Sequence, residues 1–275
     1  MNVNINLLEA GYCTHIKKIS LRTAPWHCCK FPAKFALIQH PDIGNILFDT
    51  GYSDRFFKET RIFPFQIYRW ITPVSFQKED SAISQLSALN IKPEDIDYIF
   101  ISHFHADHIG ALRDFKKAKF IFSLSGFNYL KKLGKFSALR AGFIKNLLPD
   151  DFEQRMYPVE NCIIEQLPQD LYPFNEGYNL FDNKDLYAIE LPGHAHGQFG
   201  LCIRTGENRY VFFVGDACWH SEAFKKNVMP HWLANFIMAN KKEYGTTLAK
   251  LNSLYANNTQ IDIIPSHCTE QVSFD

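Results

Sequence analysis

The stretch Tyr98–Leu112, YIFISHFHADHIGAL, constrains this chain more than any other. A β-rich apolar run, YIFIS, feeds three histidines and an aspartate into six positions: His103, His105, Asp107 and His108. Such groups are costly to place beside a buried strand unless something satisfies them. The chain must therefore fold so that a strand ends where these side chains have a use. Imidazole nitrogen and carboxylate oxygen are the donors that zinc and related divalent cations favour. Alternation along an extended chain lets His103 and His105 point the same way. Asp107 and His108 fall where the next helix starts and can turn toward a second point.

Three further strand ends deliver donors of the same kind. His194 follows YAIELPG, Asp216 follows YVFFVG and His267 follows DIIPS. A lone histidine after a strand carries little information, but three such ends beside the cluster point to one site. Seven donors are too many for a single tetrahedral zinc. They suit two divalent ions with a shared carboxylate, Zn2+ first and Fe or Mn after it.

The rest of the pattern mixes strands with helices. FALIQ (35–39) and NILFDT (45–50) flank the turn HPDIG and read as a hairpin. KFIFS, DLYAIEL, GLCIRT, YVFFVGD and DIIP read as strands, GENR as the turn between two of them, and MNVNINLLEAGYC alternates like a strand. Stripes at Ile83/Leu86/Leu89, Ile109/Leu112/Phe115 and Leu248/Leu251/Leu254 read as helices. The class is α/β or α+β, with sheets covered by helices. Two stretches, 55–80 and 125–180, look like excursions from a single domain spanning 1–275. The first is strongly aromatic.

SHFHADHIG, LPGH, GDA and PSH, in that order, together with LFDTG at 47–51, resemble the metallo-β-lactamase superfamily. The resemblance spans about residues 35–268. It implies an αββα sandwich of two mixed sheets with the metals at one edge. Carried over motif by motif, it puts His103, His105 and His194 on a first metal. Asp107, His108 and His267 go on a second, and Asp216 bridges the two. Asp49 of the DTG motif would orient ligands through hydrogen bonds, and Asp107 and Asp216 would be the catalytic carboxylates.

Among branches, the chain looks most like the N-acyl homoserine lactonases, on PEDIDYIFISHFHADHIGAL and the position of GDACW. That implies a dinuclear-metal hydrolase of a lactone or other small carboxylic ester, with a metal-bridging hydroxide as nucleophile. Thioester hydrolysis of the glyoxalase II kind, or phosphodiester hydrolysis, is the alternative on the same site. Two positions depart from the branch. Trp219 stands where its members usually carry a tyrosine that helps bind the substrate carbonyl. Gln198 replaces the second histidine of PGH-x-x-G-H. His196 and His220 are extra and read as surface histidines, with a proton donor as the alternative. Trp219, Phe63, Phe65 and Trp70 are expected to contact an apolar substrate; a homodimer contact and ordinary core filling are the competing uses of the aromatic stretch, and the basic residues that interrupt it make a membrane-touching helix the least favoured.

Composition narrows the partners. The 29 basic residues balance the 29 acidic ones, which argues against nucleic acid. No run of ~18 apolar residues predicts a transmembrane segment, and the start does not read as a secretory signal. Seven cysteines, odd in number and irregularly spaced, read as reduced thiols of a cytoplasmic protein.

Overall fold

A computed structural model of the chain describes residues 3–270 and Val272; Met1 and Asn2, at the start of the first expected strand, lie outside the described residues. In chain order the strands are β1 (Asn4–Ile16), β2 (Cys28–His40), β3 (Gly44–Phe48), β4 (Val74–Ser75), β5 (Tyr98–Phe100), β6 (Lys119–Phe122) and β7 (Met156–Pro158). They continue with β8 (Ile163–Gln166), β9 (Glu176–Asn179), β10 (Leu186–Glu190), β11 (Phe199–Gly206), β12 (Arg209–Gly215) and β13 (Ile261–Pro265). The first seven form one sheet in the order β4-β1-β2-β3-β5-β6-β7. The last six form another in the order β13-β12-β11-β10-β9-β8. Both are mixed: β3, β5, β6 and β7 run parallel, as do β12 and β13, and the other pairs are antiparallel.

Side chains alternate across each strand, and here both faces are buried. In β2, Ala36 and Ile38 enter the layer between the sheets, while Phe35 and Leu37 enter the outer core. In β12, Val211 and Phe213 go inward and Phe212 and Val214 outward. That is why these strands read as nearly continuous apolar runs. Phe48 and Phe213 stack across the sandwich with centroids 5.1 Å apart. Burying each such ring contributes roughly 1.5–3 kcal/mol. The helix Lys241–Asn257 covers the second sheet through Tyr244, Leu248, Leu251 and Leu254. Its N-cap Asn240 accepts from the backbone N–H groups of Lys242 and Glu243.

The expected hairpin forms, with Ile38 opposite Ile46. Two expectations change. The stripe after the histidines is not one helix: Ala106–Ile109 is a single turn, and Leu112–Asp114 is a separate 3-10 turn. Residues 125–180 are not an excursion throughout, because β7 extends the first sheet and β8 and β9 extend the second. These short strands have exposed or irregular faces and lack the continuous apolar runs that mark the others. All seven cysteines are free, four of them buried. No helix among the described residues is long and apolar enough to cross a membrane.

Topology gathers the donors. β10, β12 and β13 run in one direction, so His194, Asp216 and His267 emerge from the same edge of their sheet. Asp49 and His103 follow the parallel pair β3 and β5 in the other sheet. The backbone N–H of Phe199 donates to Ser102 O, and that of Ser266 to Gly215 O, tying these ends together.

Candidate metal centre

All seven expected donors lie together in two groups. Ligand atoms of His103, His105, His194 and Asp216 lie within 4.8 Å of one another, and so do those of Asp107, His108 and His267. His105 is the least buried of the seven. Asp216 stands between the groups. Its Oδ2 lies 3.2 Å from both His194 Nε2 and His267 Nε2, and its Oδ1 lies 3.4 Å from His108 Nε2 and 3.1 Å from His267 Nε2. His105 Nδ1 and His194 Nε2 converge to 3.1 Å.

Hydrogen bonds on the far side of each ring set which nitrogen faces inward. His108 Nδ1–H donates to Asp49 Oδ2 at 2.7 Å, and His267 Nδ1–H donates to Pro32 O at 2.7 Å. Ser102 Oγ donates to Asp49 Oδ2 at 2.8 Å and accepts from His103 Nδ1–H at 3.0 Å. All three rings therefore present Nε2 lone pairs to the site. Asp49 also accepts from Ser102 N–H at 2.8 Å and sits at φ +57°, a left-handed conformation held by these bonds.

The donor set fits cations. His103 Nε2, His108 Nε2 and Asp216 Oδ1 are buried with no hydrogen-bond partner. Buried polar atoms are seldom left so, and three facing one point call for a ligand. Burial, then the neighbouring imidazoles, pushes His103 well below the usual histidine pKa; burial, then His194, does the same for His105. Both are thus held neutral, the form that coordinates. Burial opposes charge on Asp216, yet His267, His108 and His194 hold it well below the usual carboxylate range. On His108 burial is likewise outweighed, by Asp49, Asp107 and Asp216, which raise its pKa well above the ordinary value. That proton is the positive charge a divalent cation would replace.

The site floors a cavity of about 380 Å³, within the range of small-molecule sites. Trp219 stands in its wall, and its Nε1–H donates to Asp216 Oδ2 at 2.9 Å. The other three residues expected on the substrate are turned away from that wall. Phe63 is exposed against Phe136, Phe65 packs into the outer core of the first sheet, and Trp70 is 67% exposed. The reason is helical phase. Within Gln66–Ile71, Ile67, Tyr68 and Ile71 line the cavity, which turns Trp70 outward.

Sequence reading missed Tyr68, which lines the cavity together with Asp107. Its only signal was membership of an aromatic stretch. It also missed Ser102, one residue before the motif. Of the extra histidines, His196 is exposed and stacks on Tyr129 at 4.0 Å. His220 is not a surface residue: it is buried, with Nε2 2.8 Å from Ser20 Oγ. Gln198 is buried too, donating through Nε2 to Val214 O at 3.3 Å.

A four-layer sandwich with two His/Asp groups suited to two metal ions at its edge defines a class of metal-dependent hydrolases. The family model of the metallo-beta-lactamase superfamily matches residues 34–219. The chain belongs to that superfamily. It is 27% identical over 208 residues to the N-acyl homoserine lactonase AttM of Rhizobium radiobacter, covering 76% of this chain and 73% of that one. With an N-acyl homoserine lactonase of Bacillus cereus it shares 26% identity over 223 residues, 80% and 78% of the two chains. Among solved structures it superposes on an N-acyl homoserine lactone hydrolase with N-hexanoyl-L-homoserine at its catalytic metal center. The TM-score is 0.73 at 19% identity, over 98% of this chain and 95% of that one. The dizinc quorum-quenching lactonase AidC aligns at a TM-score of 0.66 and 17% identity, over 97% and 87%. The branch that the motifs resembled is the branch these relatives occupy.

Proposed function

We propose that this protein hydrolyses a lactone or other small carboxylic ester with an apolar acyl part, using two divalent cations. The observation that carries this reading is Asp216, whose carboxylate lies within 3.4 Å of His194 in one donor group and of His108 and His267 in the other. His103, His105 and His194 would hold one ion and Asp107, His108 and His267 the other, with Asp216 shared. When bound there, such a pair would polarise a carbonyl and make water nucleophilic near neutral pH.

The chain's own groups do the rest. Asp49, Ser102 and Pro32 O fix the rings, so little reorganisation accompanies the reaction. Trp219 Nε1–H holds Asp216 Oδ2 in place. Tyr68 is raised well above the ordinary tyrosine pKa, by burial first and by Asp107 next. Its hydroxyl stays protonated, and Tyr68 lines the same cavity as Trp219. In this reading it donates a hydrogen bond to the substrate carbonyl or the departing alkoxide, the task that position 219 cannot perform with an indole. Ile19, Ile67, Ile71, Leu139, Phe236 and Ile237 give the acyl chain an apolar wall. The relatives' action on N-acyl homoserine lactones supports a substrate of that shape.

The test is elemental analysis of the purified protein followed by hydrolysis of acyl lactones of graded chain length. Two equivalents of metal and turnover that improves with chain length are expected, and His103→Ala should lose both metal and turnover. Full turnover by thoroughly chelated protein would end this reading.

A further inference from the structure

The balanced net charge hides an uneven distribution. Four segments, 15–27, 58–72, 132–145 and 231–242, each place residues in the cavity wall, among them Ile19, Ile71, Arg140 and Phe236, and carry their neighbours beside it. Together they carry twelve Lys and Arg but a single acidic residue, Glu59. None of those twelve is in an ion pair among the described residues, whereas seven of the seventeen lysines and arginines elsewhere are, Arg55, Arg113 and Arg155 among them.

The same segments hold nine of the fifteen large apolar residues exposed among the described residues. Ile71, Phe136, Phe236 and Ile237 form part of the cavity wall and are each at least half exposed. Phe63 packs on Phe136 at 5.6 Å, and Trp232 lies 6.3 Å from Phe236. His231 links Trp232 to Trp26, whose ring lies 5.7 Å from Lys18 Nζ. Apolar exposure on this scale, set around one opening, marks a surface that meets a partner.

We propose that this rim docks the protein on an anionic lipid surface, with the cavity mouth facing the bilayer. Tryptophan and phenylalanine at the headgroup boundary, ringed by unpaired lysine and arginine, are what interfacial binding needs. A second copy fits less well: a two-fold interface would set twelve unpaired cations against twelve more. A nucleic acid would use the cations but has no use for exposed Ile62, Ile71 and Ile237. Taken with the proposed hydrolase reading, the arrangement lets an acyl chain pass from bilayer to cavity without crossing water. The docking itself needs neither metal nor turnover, so the two readings fail separately.

The test is co-sedimentation of the whole protein with vesicles of equal parts phosphatidylglycerol and phosphatidylcholine, and with phosphatidylcholine alone. Binding to the anionic vesicles is expected to be about tenfold tighter, weakened by salt, and accompanied by a blue shift of tryptophan emission. Arg61→Glu with Lys135→Glu should weaken it about tenfold. Trp70→Ala with Trp232→Ala should remove most of the blue shift. Both double variants should keep hydrolysis of a short, water-soluble ester. Equal binding to both vesicle types, or binding to neither, overturns the proposal. So does a concentration-dependent dimer by light scattering that vesicles do not dissolve, or displacement of the vesicles by a single-stranded oligonucleotide.

Discussion

Trp219 and Asp216 are joined by a hydrogen bond of 2.9 Å from the indole Nε1–H to Oδ2, the oxygen nearest His194. The indole also stands edge-on to His194 at 5.4 Å. Trp219→Phe keeps the ring in the wall and removes the donor. Losing a hydrogen bond to a buried carboxylate costs about 1.5–3 kcal/mol. We expect metal affinity to fall roughly 10–100-fold, measured by competition with a chelator. Unchanged affinity would mean that Asp216 is positioned without Trp219.

Tyr68→Phe separates a hydroxyl that acts on substrate from a ring that only fills space. The phenyl ring keeps the apolar wall, and only the hydroxyl is removed. We expect kcat to fall about 10–100-fold with both metals retained, as removal of a preorganised donor does. A rise in KM alone would assign Tyr68 to binding the acyl part.

Gly142 sits at φ +62°, and a Cβ there would lie 2.6 Å from His105 Cδ2. Its carbonyl accepts from Ala106 N–H at 3.1 Å, so the glycine braces the turn that carries the ligands. Gly142→Ala must either strain the backbone or push the His105 ring aside. The expected outcome is a stability loss of about 1 kcal/mol or more with a disproportionate fall in activity. Denaturant melts and kinetics on the same preparation check it; a stability loss with unimpaired turnover would clear His105.

His220 gives stability a pH dependence. Burial first, and Lys17 next, lower its pKa from 6.5 to about 4. The native state therefore resists a proton that the unfolded chain accepts. The contribution is fully present above about 6.5 and is lost as pH falls from there toward about 4. His220→Gln keeps a donor for Ser20 and removes the titration. Relative to it, the native chain should lose roughly 1–2 kcal/mol over that window, read from urea midpoints at each pH. Parallel curves would show that His220 titrates alike in both states.

Some of this was written in the chain. The nearly continuous apolar runs of β2, β3, β11 and β12 are local, because burial on both faces leaves a pattern that neighbouring residues alone express. The clustered donors were legible for the same reason, since His103 through His108 share one loop. His194, Asp216 and His267 could be picked out because each ends a strand. The lining residues could not, because the phase of Gln66–Ile71 against the cavity depends on contacts with other elements. That phase exchanged Trp70 for Tyr68.

The sequence by itself determined which groups could coordinate a cation, because donor chemistry belongs to the residue. It also determined the strands that carry them, because side-chain alternation is a property of neighbours. Only the tertiary structure decided that those strands end at one edge, and that Asp216 faces both groups of histidines. It alone put a phenol and an indole in the wall of one cavity and brought segments rich in unpaired cations and exposed aromatics beside it. These are relations between residues far apart in the chain, fixed by how two sheets pack, and no local pattern encodes them.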